Sequence, residues 1–188
     1  MHPCFETILI EDYKPLHVKY HNERFWLTCK ELYGVDCDLD LGSIIKPTIA
    51  NCKCKIVYDG YSFNVQYTSL PLGRKFENFK VVSITQDYTY KCLKRDWLDS
   101  LRGSADEAIL IKDGLLKDTT IANIALKIDG KWLTPKEPLL RGTTRQRLLD
   151  EGKIIPANLR VEDLKNSQNF AIMNALLGFL ELKTYGIY

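Results

Sequence analysis

Apolar and polar residues change rhythm several times along this chain, and each change predicts an element. Residues 5–11 (Phe-Glu-Thr-Ile-Leu-Ile-Glu) read as a strand, followed by a turn over residues 12–15. Phe25, Trp26, Cys29 and Leu32 recur at helical spacing, which predicts a helix over 21–33, and a second short helix is expected over 41–49. Residues 54–58 read as a strand, and Asp59-Gly60 is a two-residue hairpin signal. On its far side Tyr61, Phe63, Val65 and Tyr67 alternate with Ser62, Asn64 and Gln66, as in a half-buried antiparallel strand.

The stretch 69–75 (Ser-Leu-Pro-Leu-Gly-Arg-Lys) interrupts this pattern and reads as a linker, dividing the chain into a small lobe, 1–71, and a larger one, 72–188. A strand over 80–85, a helix over 95–101 and a strand over 107–112 follow. Asp118 falls in what reads as a polar turn. A second hairpin pairs 124–128 with 131–134 around Asp129-Gly130, and a helix opens after Gly142 and stops at Gly152, a natural left-handed terminator. A last strand, 169–173, leads into 176–182. Hairpins with helices placed irregularly among them predict an α+β fold rather than a doubly wound parallel sheet.

Composition narrows the function classes. The chain has 188 residues, 45% of them apolar and 27% charged, enough for a genuine core. A net charge of +2 with no basic stripe argues against nucleic acid or an acidic membrane surface as partner. No apolar run is long enough to span a bilayer and the first residues lack the features of a signal peptide, so a cytoplasmic location is expected. The six cysteines, Cys4, Cys29, Cys37, Cys52, Cys54 and Cys92, are irregularly spaced and read as thiols. Cys52 and Cys54 lack a second pair at zinc-ligand spacing, so no metal is expected.

Four positions could carry chemistry. Lys91 could form a Schiff base with a carbonyl if its surroundings favour the neutral amine. Gly142-Thr143-Thr144-Arg145 opens a helix whose N–H groups and hydroxyls suit an anion such as phosphate. Asp118 could face a protonated ring nitrogen. Arg24, inside the first predicted helix, could reach a phosphate. Each also has an ordinary structural reading: a solvated lysine, a helix cap, a turn aspartate and an exposed arginine.

Their order is what distinguishes them. Phe5-Glu6-Thr7-Ile8 followed by His21-Asn22-Glu23-Arg24, then Lys91-Cys92-Leu93-Lys94-Arg95, Ala105-Asp106-Glu107, the segment 113–124 and Gly142-Thr143-Thr144-Arg145 together resemble the class IV aminotransferases, the fold type IV pyridoxal-phosphate enzymes. The resemblance implies a two-lobed fold like that of D-amino-acid aminotransferase, shortened ahead of Phe5, with pyridoxal 5'-phosphate as cofactor. It implies that Lys91 carries the cofactor aldehyde, that Arg24, Thr143 and Thr144 hold the phosphate, and that Asp118 takes the place of a glutamate facing the ring nitrogen. Asn174 and Ala175 fall among the cofactor-binding positions. Asp118 is one methylene shorter than the family's glutamate, and Lys94 replaces an asparagine.

Asn174-Ala175-Leu176 and Thr7 are similar to features of the aminodeoxychorismate lyases within that family. The resemblance then implies a small-molecule amine substrate, release of pyruvate and 4-aminobenzoate, Lys91 as general base and Thr7 as proton donor to the departing group. An aminotransferase of branched-chain or D-amino acids is the alternative, with Lys55 and Tyr58 at the substrate carboxylate. A catalytically degenerate cofactor-binding protein is a third reading. A homodimer is implied by the resemblance alone.

Overall fold

The computed structural model describes residues 2–71 and 73–188 and divides into two compact units. The first comprises Met1–Gly73 together with Tyr90–Lys94, and the second Arg74–Thr89 with Arg95–Tyr188. The lysine-bearing segment therefore packs with the first unit, although it follows the linker in sequence.

In the first unit, β1 (Cys4–Glu11), β2 (Lys14–Pro15), β3 (Cys52–Tyr58) and β4 (Phe63–Ser69) form an antiparallel sheet in the order β2-β1-β3-β4. Two helices accompany them, α1 (Val18–Thr28) and the one-turn α2 (Leu41–Ile44). Along β1 the residues alternate strictly, with Cys4, Glu6, Ile8 and Ile10 buried and Phe5, Thr7 and Leu9 on the other face. Opposite residues on paired strands share a face, so Cys52, Cys54, Ile56 and Tyr58 of β3 join the buried set. Helix α1 starts three residues earlier than its apolar spacing predicts. It passes into a π-helical turn, Cys29–Tyr33, and stops at Gly34 in the left-handed conformation. The second helix is shorter than expected. On β4 the predicted alternation holds only in part: Phe63 is exposed, and Val65 and Tyr67 are half-buried, because β4 is the sheet's edge.

The second unit holds β5 (Asn78–Ser83), α3 (Asp96–Ser100), β6 (Glu107–Lys112), β7 (Leu115–Thr119), β8 (Asn123–Ile128), β9 (Lys131–Pro135), α4 (Thr143–Asp150), β10 (Ile155–Ala157), α5 (Val161–Asn166), β11 (Asn169–Asn174), β12 (Gly178–Leu182) and β13 (Gly186–Ile187). The main path runs β10-β9-β8-β7-β6-β5-β13, and β8 also pairs with β11, which carries β12. Most pairs are antiparallel, while β5 with β6, β13 with β5 and β10 with β9 run parallel. The α+β expectation holds. Sequence periodicity missed β10 and β13, two short strands that carry a proline and a glycine, and α5, a helix of under two turns.

One correction concerns Asp118. It is not in a turn; it is buried near the end of β7. The register between β6 and β7 shifts between Ile109 and Ile111, so Lys117 and Asp118 together oppose Leu110. A bulge of this kind re-aims side chains, and here the successive residues Leu116, Lys117, Asp118 and Thr119 of β7 are buried. The shift disguises the strand, because a bulged strand no longer alternates.

The core of the second unit is mainly aliphatic, with an aromatic cluster inside it. Phe79 and Phe170, both fully buried, meet edge to face at 5.3 Å between ring centres, and Tyr185 lies 5.4 Å from Phe170. Phe170→Ala should cost about 3–5 kcal/mol. Urea denaturation of the variant checks this, and a loss below about 1 kcal/mol would show that the core can collapse around the gap.

Candidate active site

In the first unit, three of the residues singled out by sequence meet on the face of the sheet opposite the core. Thr7 and Lys55 are directly paired across β1 and β3, and Phe5 lies two residues before Thr7 on the same face. The segment carrying Lys91 runs antiparallel to the start of β1. The Phe5 N–H donates to the Lys91 carbonyl at 2.9 Å and the Leu93 N–H to the Pro3 carbonyl at 2.7 Å. The Nζ atoms of Lys91 and Lys55 stand 4.6 and 4.7 Å from the centre of the Phe5 ring. Phe5 thus holds Lys91 twice, by its backbone and by attraction of the ammonium to its ring.

Tyr58 does not join them. It pairs with Cys4 on the buried face, and its ring packs edge-on against Phe25 at 4.8 Å. The expectation that it stands beside Lys55 is corrected by strand alternation, since residues 55 and 58 lie on opposite faces.

Arg24 projects from α1 to Glu6 on the buried face of β1. Its Nε donates to one carboxylate oxygen at 2.8 Å and its Nη2 to the other at 2.5 Å, while His21 Nδ1 lies 2.6 Å from that second oxygen. Burial would push the Glu6 carboxyl up, but the Arg24 charge and the hydrogen bonds from His21 and Arg24 outweigh it and hold the group at about 2. Burial lowers the His21 pKa, against the pull of Glu6. In the sequence Glu6 stands inside the opening motif with no role of its own. The available signal was its position, two residues from Cys4 and from Ile8 on the inward face of a strand.

The second unit gathers another set. Asp118 accepts from Asn123 Nδ2 at 2.6 Å on one oxygen and from the Leu140 N–H at 2.9 Å on the other. Burial nevertheless raises its pKa to about 6, because these bonds and the Arg145 charge only partly replace water. Helix α4 begins at Gly142 with no side-chain cap, and Thr143 and Thr144 are buried in its first turn. Arg145, also buried, donates through Nη2 to the Pro135 carbonyl at 2.7 Å and so ties this turn to β9. Asn174 accepts from the Leu176 and Leu177 N–H groups, shaping the turn around Ala175 between β11 and β12, and donates to the Ile121 carbonyl at 3.2 Å.

Glu107 is a second carboxylate that sequence left without a role. Fully buried on β6, it accepts from the Ala108 N–H, the Thr120 N–H and hydroxyl, and Arg74. It fixes the turn that joins β7 to β8, and hence the exit from Asp118.

Taken unit by unit, these groups suit separate parts of pyridoxal phosphate. Lys91 supplies an amine held on an aromatic ring. The uncapped N-terminus of α4 presents N–H donors flanked by two hydroxyls, a setting for a phosphate dianion. Asp118 is a buried carboxylate whose negative charge is under-compensated, so a protonated ring nitrogen is the kind of partner it lacks.

A mixed α+β architecture of this topology defines the class of fold type IV enzymes. The family model for amino-transferase class IV matches residues 90–185. An "uncharacterized protein" of Haemophilus influenzae is 34% identical over 189 residues, covering 95% of this chain and 100% of the relative. A crystal structure from Haemophilus somnus, described as a "putative 4-amino-4-deoxychorismate lyase", is 28% identical with a TM-score of 0.85, covering 95% of this chain and 98% of that one. The PLP-bound form of a "hypothetical aminotransferase" from Mycobacterium tuberculosis shares the fold at 19% identity and a TM-score of 0.82, covering 98% of this chain and 81% of that one. The chain belongs to the class IV aminotransferase family, whose members are pyridoxal-phosphate enzymes acting on small molecules. Among the described residues no helix is long and apolar enough to cross a membrane.

The Glu6 cluster has a pH signature. A carboxyl held at about 2, against an ordinary 4.5, contributes stability that is present above pH 4.5 and lost as pH falls toward 2. Protonating His21, whose pKa is also lowered, acts in the same direction. Glu6→Gln leaves Arg24 without its anion and should cost about 3–5 kcal/mol at pH 7. The difference from wild type should shrink as pH falls from 4.5 to 2. Urea titrations across that range check it, and a difference independent of pH would show that the charge is not what stabilises.

Proposed function

We propose that this enzyme carries pyridoxal 5'-phosphate on Lys91 and acts as an aminodeoxychorismate lyase, releasing pyruvate and 4-aminobenzoate. The observation that carries the reading is the grouping of Thr7, Lys55 and Lys91 around Phe5 on one face of the first unit's sheet. A hydroxyl and a second cation on the same sheet face as the ring that holds Lys91 support this reading. The likeness to the Haemophilus somnus protein across nearly both chains supports the same choice.

When bound, the cofactor supplies a protonated ring that takes up the electron pair left by proton removal. Asp118 would keep that ring nitrogen protonated, while Thr143, Thr144 and the first N–H groups of α4 would hold the phosphate; a phosphate contact from Arg24 is implied by the family resemblance alone, through a guanidinium that Glu6 already holds in two-point contact. By the family resemblance, Asn174 and Ala175, in the turn between β11 and β12, complete the cofactor-binding residues. Lys55 pairs with a substrate carboxylate. The Lys91 amine would remove the proton from the substrate carbon as general base. The carbon–oxygen bond to the pyruvyl group breaks as the ring becomes aromatic, and the Thr7 hydroxyl delivers a proton to the departing enolate, giving pyruvate.

Aminotransfer is the second reading, favoured by Lys55: a cation beside Lys91 also suits the carboxylate of a branched-chain or D-amino acid. A degenerate cofactor-binding protein is a third outcome of the test. We also propose, from the family resemblance, a homodimer, and from six cysteines that form no disulfide among the described residues, a cytoplasmic setting.

The purified enzyme should be yellow, and Lys91→Ala should abolish the visible absorbance; a colourless protein indifferent to added pyridoxal phosphate sinks the cofactor assignment. With aminodeoxychorismate, pyruvate and 4-aminobenzoate should appear without a keto-acid acceptor, and Thr7→Val should lower kcat about 10²-fold or more. Amino transfer to a keto acid without lyase turnover would establish the aminotransferase instead. Bound cofactor with neither activity would establish the degenerate reading.

A further inference from the structure

Asn123 opens β8 directly opposite Asp118 of β7. Both side chains are buried. The amide nitrogen of Asn123 donates to Asp118 at 2.6 Å and to the Leu140 carbonyl at 2.9 Å, so both of its hydrogens are committed. The Leu140 N–H returns to the second oxygen of Asp118 at 2.9 Å, closing a ring of three residues. This pattern also orients the amide, because the reverse orientation would set its oxygen against a carboxylate and a carbonyl.

The amide oxygen consequently points at Gly142. A Cβ built on Gly142 would lie 1.8 Å from that oxygen and 3.0 Å from the amide carbon. The backbone of Gly142 is extended, at φ −72° and ψ 140°, a conformation open to any residue. What requires glycine here is therefore the neighbouring amide and not the turn. Gly142 is also the residue from which α4 starts. One side chain thus touches both the carboxylate of β7 and the backbone that launches the helix.

We propose that Asn123 is a positioning residue that couples the charge of Asp118 to the start of α4, so that one amide sets the places of the groups meant for the ring nitrogen and for the phosphate. The proposal rests on the cofactor roles given above to Asp118 and α4. The coupling itself belongs to the chain without cofactor, which allows the two to be tested apart.

Two measurements test it: the Asp118 titration midpoint, from carboxyl-carbon NMR of the cofactor-free protein, and the ratio of affinities for pyridoxal phosphate and pyridoxal. Gly142→Ala should displace the amide, raise the Asp118 midpoint by about one pH unit through loss of a bond to the charged form, and cut the affinity ratio about tenfold. Asn123→Ala should do the same. The double variant should be no worse than Asn123→Ala alone, because the clash and the bond are then both gone. Thr144→Ala should lower the affinity ratio without moving the Asp118 midpoint.

If Asn123→Ala does not fold, Asn123→Ser keeps a donor over a shorter reach, and Gly142→Ala should be better tolerated in that background than in wild type. An Asp118 midpoint unmoved by Gly142→Ala, or additive losses in the double variant, would overturn the coupling. A wild type that binds pyridoxal as tightly as pyridoxal phosphate would instead count against the phosphate role of α4, while a shifted midpoint in Gly142→Ala would still support the coupling.

Discussion

A carboxylate on the inward face of a strand must find its donors inside the protein, and three such groups organise the chemistry-bearing parts of this chain. Glu6 draws Arg24 and His21 of α1 onto β1. Glu107 gathers Arg74 and the turn at Thr120. Asp118 takes the Asn123 amide and the Leu140 N–H. Leaving any one of them unpaired would cost several kcal/mol, so the elements that supply the donors are fixed by the need to satisfy the charge.

The three differ in how far they are satisfied, and the difference separates structure from chemistry. Glu6 meets a guanidinium in two-point contact and is held at about 2, so it remains an anion at any physiological pH. Asp118 meets an amide and a backbone N–H, with the Arg145 charge as support, and burial still leaves it at about 6. A group poised near neutrality can change charge in response to what binds beside it. The first carboxylate is thus a clamp, and the second is suited to a charged partner from outside the chain.

Much of this was legible in local pattern. The strand at β1, the hairpin at Asp129-Gly130 and the helix between Gly142 and Gly152 follow from alternation, turn residues and stop signals acting over a few positions, whereas the hairpin expected to turn on Asp59-Gly60 alone forms with a four-residue loop, since Tyr58 pairs with Phe63. Lys91, Thr7 and Lys55 could be picked as candidates, and they do share a neighbourhood. Asp118 was misread as a turn because the bulge opposite Leu110 breaks the alternation by which strands are recognised. Tyr58 was set beside Lys55 on nearness in sequence, which in a strand says nothing without counting parity.

By itself the sequence determined most of the longer elements and their order, and the order in which an amine, a carboxylate and an anion-binding helix start occur along the chain. These are consequences of short-range spacing. Only the tertiary structure decided that the Lys91 segment pairs with β1, that Glu6 is fully buried, and that Asn123 stands against both Asp118 and Gly142. The physical reason is that a buried polar group is paired by residues far from it in sequence, and its charge depends on the solvent those residues exclude.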